Sequence, residues 1–273
     1  MHFLSCLPEA LDVEFARTMR RSDRRTNSLE IAIVESLVLG GTVGVVVIDP
    51  ARVSDVFFVR VLQAVAASTS TLVLWTVFEL SVLPAILAAG ALPRAELFFH
   101  GDAGDAAALT RWASGRTRPT VRAVVWRRLA PSLAAMEPAF AHVLLGVLMG
   151  RFHEESIPAL LKTHGLHTRQ FERRLQRSGL CRGRSLMHLG RLMTAYKCLS
   201  ARAENVRDAA GHAGYGSSRA LRINAHRFIG AVPSEFLRLG AKRFGERIVA
   251  ALWRSGGLVR GQSGSAVGEV TVR

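Results

Sequence analysis

Arginine side chains are concentrated in two stretches of the chain that each follow a glycine. Four arginines lie within residues 168–177, after Gly165, and three lie within residues 219–227, after Gly214. The guanidinium group is a planar fork of N–H donors that pairs with phosphate oxygens and with the acceptor edge of guanine. Two such stretches indicate that the protein binds a nucleic acid, either through its phosphates alone or also through its bases.

Each arginine-rich stretch is the second half of a repeated pattern. In both copies, residues 156–175 and residues 205–228, a short apolar helix precedes a glycine-containing turn and a second helix with arginine on its outer face. The two turn glycines, Gly165 and Gly214, are 49 residues apart. This pattern is typical of a helix-turn-helix, whose second helix enters the major groove of DNA.

Helical geometry separates the buried from the outward side chains of the two second helices. Phe171 and Leu175 are four residues apart and are expected to face the core. Leu221, Ala225 and Phe228 are expected to form the buried face in the second copy. The candidate DNA-binding residues are Thr168, Arg169, Gln170, Arg173, Gln176, Arg177, Ser217, Ser218, Arg219, Arg222, Ile223, His226 and Arg227. For any one arginine, base recognition, a phosphate contact and a solvated surface position all stay open. We expect His226 to be exposed or near phosphate, because no partner lies at metal-ligand spacing.

The positive charge of the chain lies in the same segment as the repeated pattern. The 273 residues carry a net charge of +15, and residues 151–255 hold 20 Lys and Arg against 7 Asp and Glu. The other residues hold 16 against 14. A charge excess confined to one segment is the expected footprint of a protein that binds a phosphate backbone.

The segment from Arg151 onward, about 90 residues, resembles the C-terminal domain of the AraC-type (AraC/XylS) transcriptional regulators. A predicted joining helix, Gly183–Ala201, connects the two units. The matching motifs are Arg191-Leu192 with Ala195 and Leu199 in that helix, Gly214-Tyr215 in the second turn, and the closing Gly230, Val232-Pro233 and Phe236. The resemblance implies an all-helical domain with two helix-turn-helix units, double-stranded DNA as partner, and sequence-specific regulation of transcription.

A few positions depart from the family pattern. Leu161 stands where the first unit usually has a small alanine, and Ala225 stands where the second usually has phenylalanine. Ile223 and Asn224 also replace commoner residues. These departures concern how each helix is presented to DNA, and not the class of protein.

The first 115 residues alternate between short β-branched or aromatic runs and longer stretches with helical spacing. The predicted strands are His2–Cys6, a weaker one within Arg24–Ser28, Val43–Ile48, Thr71–Thr76 and Glu96–Phe99, and the predicted helices are Glu9–Met19, Leu29–Leu39, Arg52–Ala67, Glu79–Ala89 and Ala103–Trp112. Apolar strands that alternate with helices predict a doubly wound α/β domain with a five-stranded parallel sheet, flavodoxin-like or receiver-like.

This N-terminal part resembles a degenerate response-regulator receiver domain. Asp49 and Thr76 fall where that family has its phosphoryl-accepting aspartate and a strand-ending threonine or serine. Ser5-Cys6-Leu7-Pro8 stands in place of the acidic pair that holds a metal ion, and Phe98-Phe99-His100 stands where a lysine is needed. Without those groups we expect no phosphotransfer. The simpler interpretation is that Asp49 caps a helix that begins at Pro50.

Four segments follow from these patterns: a receiver-like α/β domain (1–115), a helical linker (116–150), the AraC-type DNA-binding domain (151–255) and a Gly/Ser-rich disordered tail (256–273). The domain boundary is predicted at Thr110–Arg118. The apolar stripe within Leu129–Phe152 is expected to be core packing, with dimerisation as the alternative.

Composition sets the expected compartment and partners. Cys6, Cys181 and Cys198 have no metal-ligand spacing and suit buried thiols in a reducing cytoplasm. The apolar run Ile31–Ile48 approaches a membrane span in length but divides into a helix and a β-branched strand, so we expect no membrane insertion. We expect a cytoplasmic, non-enzymatic protein without metal or cofactor. Expected partners besides DNA are a second copy through residues 1–150 and RNA polymerase. The alternative is an enzyme on a flavodoxin-like fold with an attached DNA-binding domain.

Overall fold

The structure, a computed structural model, describes residues 2–7, 9, 12–13, 24–99, 105, 108–109, 112–113, 119–152, 156–202 and 205–253. The predicted tail, 256–273, lies outside these residues. So do most of the predicted helices Glu9–Met19 and Ala103–Trp112 and of the boundary Thr110–Arg118.

The N-terminal part is built on a parallel β-sheet. Its strands are β1 (His2–Cys6), β2 (Arg24–Asn27), β3 (Val45–Ile48), β4 (Thr71–Thr76) and β5 (Ala95–Phe99). They lie in the order β2-β1-β3-β4-β5, and every neighbouring pair is parallel. This is the strand order of flavodoxin-like sheets. All residues of β3 and β5 are buried, as expected of apolar strands covered on both faces.

Apolar side chains pack on both faces of this sheet. On one face lie the helices α1 (Ile31–Leu39), α2 (Asp55–Ala66) and α3 (Leu83–Gly90), whose buried side chains join those of alternate strand residues such as Val46 and Leu72. On the other face, Val47 and Val73 pack with Leu109 and Trp112. The alternation follows from the two-residue period of a strand.

Two predicted helix starts in this part were wrong by more than two residues. The helix predicted at Glu79–Ala89 begins at Leu83, after a separate 3-10 turn at Leu80–Val82. The helix predicted at Arg52–Ala67 begins at Asp55, where the Ser54 hydroxyl accepts a hydrogen bond from the Phe57 N–H at 3.3 Å. The residues Pro50–Arg52 instead form a separate 3-10 turn. Asp49 therefore caps this 3-10 turn and not the longer helix. The chain is extended at Val53, which separates the turn from the helix.

Two further helices, α4 (Val121–Ala134) and α5 (Pro138–Leu148), connect the sheet to the C-terminal part. The indole N–H of Trp126 in α4 donates to the Ile86 carbonyl of α3 at 3.1 Å. A side chain at Gly90 of α3 would meet Ala130 at 2.5 Å, so glycine permits the close approach of the two helices. The apolar stripe of α4 and α5 is buried, which confirms that it is core packing.

The C-terminal part is helical throughout its described residues outside turns. Its elements are α6 (Ile157–Thr163), α7 (Thr168–Arg177), α8 (Gly183–Arg202), α9 (Val206–His212), α10 (Ser218–Ile229), a 3-10 turn (Pro233–Glu235) and α11 (Phe236–Leu252). The predicted apolar face of the joining helix α8 is buried, including Leu186, Leu192 and Tyr196. A single cluster of buried apolar side chains extends from the sheet through α4 and α5 to α11.

These observations confirm the predicted general arrangement, an N-terminal parallel sheet followed by a mostly helical part. The apolar run Ile31–Ile48 divides into α1 and β3, as predicted. Among the described helices, none combines the length and apolar character that crossing a membrane requires. All three cysteines are buried thiols, as expected.

Candidate nucleic-acid interface

The two predicted helix-turn-helix units have the same local geometry. Ser156 caps α6 and Asn205 caps α9, each accepting a hydrogen bond from a backbone N–H of the first turn. Gly165 and Gly214 end those helices with φ of 66° and 72°, a conformation that favours glycine. The Leu166 N–H then donates to the Leu161 carbonyl at 2.8 Å, and the equivalent bond in the second unit, from Tyr215 to Ala210, measures 2.9 Å.

The second turn is one residue longer than the first. The N-cap of α7 is His167, two residues after its turn glycine, whereas the N-cap of α10 is Ser217, three residues after. The extra residue places equivalent positions of α7 and α10 50 apart along the chain, so that Arg169 matches Arg219 and Arg173 matches Ile223. The Ser217 hydroxyl accepts from the Ala220 N–H at 3.2 Å, while His167 makes no such cap.

The buried faces of the two second helices follow the helical period, with one correction. Phe171 and Leu175 in α7 and Leu221 and Ala225 in α10 are buried, as predicted. Phe228, predicted to complete the buried face of α10, is only half-buried. Ile229 is buried in its place, because it lies one full turn after Ala225.

The predicted DNA-binding residues lie on the solvent side of α7 and α10. Twelve of them are exposed and Ser218 is half-buried; the exposed ones are Thr168, Arg169, Gln170, Arg173, Gln176, Arg177, Ser217, Arg219, Arg222, Ile223, His226 and Arg227. Ile223 is 58% exposed, so α10 presents an apolar side chain to solvent at the position where α7 presents Arg173. Both helices thus present basic, amide and, in α10, apolar groups to an external ligand.

Helix α5 supports α7 from behind. The Phe140 ring of α5 lies 5.1 Å from the ring of Phe171. Arg174 turns away from the outward face and forms an ion pair with Glu137 at 2.5 Å. Burial alone would raise the pKa of the Glu137 carboxyl, but hydrogen bonds from Ala139 and Arg174 outweigh it and lower the pKa. Sequence reasoning missed this support, although Glu137 before Pro138 is a typical helix start.

A buried carboxylate connects the sheet to the helix that joins the two units. The Asp105 carboxylate accepts hydrogen bonds from the Phe99 N–H at the end of β5, from Arg122 of α4 and from Lys197 of α8. Burial opposes ionisation of Asp105, but Arg122 and Lys197 outweigh it and hold the pKa of the carboxyl well below its usual range. The ionised carboxylate therefore joins three elements in one polar contact.

Asp49 and Thr76, at the carboxyl edge of the sheet, form hydrogen bonds within the protein. The Asp49 carboxylate is fully buried and accepts from the Thr76 hydroxyl at 2.6 Å and from the Ala51 N–H at 3.0 Å. The prediction that Asp49 caps the element at Pro50 is confirmed. Nearby, burial raises the pKa of the Cys6 thiol to about 12. Within the described ranges, no three His, Cys, Asp or Glu side chains come together in a way that would hold a metal ion.

Sequence reasoning also missed three side chains on α8, Arg184, His188 and Arg191, which lie beside Arg227 of α10. Their spacing along α8 was a signal, since residues four and seven apart share a helix face.

No family model matches this chain, and neither the curated proteins nor the solved structures include a match.

Proposed function

We propose that this protein is a sequence-specific DNA-binding regulator of transcription. Its two recognition helices, α7 and α10, enter successive major grooves of one duplex. The observation that carries the proposal is the repeat itself: two exposed, arginine-bearing helices follow the same glycine turn. That repeat lies in the segment with nearly all of the net charge.

We propose a specific role for each of the two parts of the chain. The segment from Arg151 is of the AraC type, and the N-terminal domain is a doubly wound, receiver-like domain that serves sensing or assembly and not phosphotransfer. The burial of Asp49 supports the last point, since a phosphoryl donor cannot approach a fully buried carboxylate. A second copy of the chain, through residues 1–150, and RNA polymerase are the proposed protein partners. In the described sheet, the Thr76 hydroxyl donates a hydrogen bond to the Asp49 carboxylate. No observation favours the alternative, an enzyme on a flavodoxin-like fold with an attached DNA-binding domain.

Selection of duplexes from a random pool by the full chain tests this proposal. We expect enrichment of a bipartite sequence whose two elements are about one helical turn apart, because α8 holds both recognition helices in one unit. Arg169→Ala should weaken selection at one element and Arg219→Ala at the other. A pool that stays random after repeated selection contradicts sequence-specific binding.

A further inference from the structure

A half-buried group of basic side chains lies between the joining helix and the second recognition helix. Arg184, His188 and Arg191 occupy one face of α8, at spacings of four and three residues, and Arg227 approaches from α10. We call these four side chains the basic cluster. His188 and Arg191 are half-buried, and Arg184 and Arg227 are exposed at its rim.

Two aromatic rings form the floor of the basic cluster. The His188 ring stacks on the Tyr215 ring, with centroids 6.1 Å apart and an interplanar angle of 10°, and lies 6.1 Å from the ring of Phe228. The guanidinium of Arg191 lies 5.9 Å from the Tyr215 centroid, and that of Arg227 lies 5.2 Å from the Phe228 centroid. These contacts fix the directions of the basic groups without neutralising their charge.

The basic cluster has no acidic counterpart within the described part of the chain. The charged groups that act on His188 are Arg191, Arg184 and Arg227, and none of the four side chains forms an ion pair there. Two of its buried nitrogen atoms, His188 Nδ1 and Arg191 Nε, lack a hydrogen-bond partner in that part. A buried polar atom without a hydrogen-bond partner destabilises the folded state, so a ligand that supplies acceptors to these atoms is favoured.

Burial, together with the three arginines, lowers the pKa of His188 below its ordinary value. Neutral imidazole is therefore the expected form while the cluster is empty. An anion that enters between the arginines reverses that field and favours protonation of the ring.

We propose that the basic cluster is a binding site for a phosphate group. A phosphate offers several strong acceptor oxygens, which match the guanidinium forks and the imidazole N–H better than a single halide ion would. Two sources share this chemistry: a backbone phosphate of bound DNA and a free phosphate or phosphate ester. The first source rests on the proposed function, since Arg227 lies one turn after the outward-facing Ile223 on α10.

Titration of the full chain with inorganic phosphate tests the free source. The imidazole signals of His188, assigned by their loss in His188→Gln, should shift with phosphate but not with chloride at equal ionic strength. The pKa of His188 should rise on binding. Arg184→Gln combined with Arg227→Gln should weaken phosphate binding at least several-fold. Arg52→Gln, which removes the same charge from an exposed position in the sheet domain, should leave it unchanged.

Salt titration of the full chain on duplex DNA tests the backbone source. Each of Arg184→Gln and Arg227→Gln should reduce the salt slope by about 1 and weaken selected and random DNA equally, with Arg52→Gln again as control. Arg191 is left intact because its guanidinium packs on Tyr215. A response in either titration identifies the source of the phosphate, and unchanged results in both overturn the proposal. If the wild-type chain binds no DNA, the proposed function fails while the inorganic phosphate titration still decides the site.

Discussion

Equivalent outward positions of the two recognition helices carry different chemistry. Arg169 and Arg219 match each other, but Arg173 of α7 corresponds to Ile223 of α10. An arginine can bind guanine through two hydrogen bonds, whereas an exposed isoleucine can only contact an apolar group such as the thymine methyl. The two units are therefore expected to prefer different bases, and one chain then reads an asymmetric site.

The substitution Arg219→Ala tests base recognition at this scale. If Arg219 contacts a base edge, we expect a loss of about 1–3 kcal/mol in discrimination between selected and random DNA. Competition binding with both duplexes measures this difference, and Arg52→Ala is the control for the lost charge. An equal loss of affinity on the two duplexes would instead identify Arg219 as a phosphate contact.

Glu96 on β5 gives a pH prediction that is independent of DNA. Its carboxylate is buried and accepts hydrogen bonds from the Thr120 N–H at 3.2 Å and the Thr120 hydroxyl at 2.8 Å. Burial raises the pKa of Glu96 to about 7, against the opposing effects of Thr120 and nearby arginines. Because the folded-state pKa lies above the unfolded value, this group stabilises the fold at low pH, and the contribution is lost as the pH rises through 7.

The variant Glu96→Gln keeps an acceptor for Thr120 and removes the titration. At pH 8 it should be more stable than wild type by up to about 3 kcal/mol, while at pH 5 the two should be similar. Urea unfolding at both pH values provides the free energies. Parallel pH profiles for the two proteins would show that Glu96 titrates normally in the folded state.

The glycine turns set the geometry of each helix-turn-helix. Gly214 has a φ of 72°, a left-handed backbone conformation that residues with a side chain rarely adopt. We expect Gly214→Ala to destabilise the fold by about 1–2 kcal/mol.

Gly211 is a matched control three residues earlier, inside α9. An added Cβ at Gly211 would meet no other atom within 4 Å, and its backbone conformation is that of an ordinary helix. Gly211→Ala should stabilise the protein, by up to about 1 kcal/mol, because alanine favours helix. Thermal unfolding of both variants measures the two changes in stability. Similar effects of the two substitutions would contradict the requirement for glycine at position 214.

The elements that could be predicted from sequence are those with a strong local signal. Strands β1 and β4 and the start of α8 match their predicted bounds, because continuous apolar runs and a long helical stripe leave few alternatives. The start of α2 was missed because Asp49-Pro50 carries the same signal for a 3-10 turn as for a longer helix. The choice between Phe228 and Ile229 depends on what packs against α10, which no local pattern contains.

The candidate site could be predicted only where it depends on local sequence patterns. The outward residues of α7 and α10 followed from the helical period and the turn glycines. The ion pair of Arg174 with Glu137 and the basic cluster did not, because each joins residues from separate elements. Tertiary contacts of this kind decide which arginines are free to meet a ligand.

At the scale of the whole molecule, Asp105 forms a polar contact between the sheet domain and α8. Removing its charge takes away the carboxylate that neutralises the partly buried Arg122 and Lys197, so Asp105→Asn should cost about 3–5 kcal/mol. The exposed pair of Arg60 with Glu35 is the control, and Glu35→Gln should cost at most about 1 kcal/mol. Urea unfolding of both variants compares them, and equal costs would remove Asp105 from this role.

The most direct test of DNA binding by two recognition helices is the affinity of the full chain for duplex DNA as a function of salt. We predict a linear fall of the logarithm of affinity with the logarithm of salt, amounting to roughly 10³-fold between low and physiological salt if several phosphates are contacted. The Arg169→Ala/Arg219→Ala variant should bind selected DNA no better than random DNA while retaining a steep slope. A flat salt response of the wild-type chain would contradict the account.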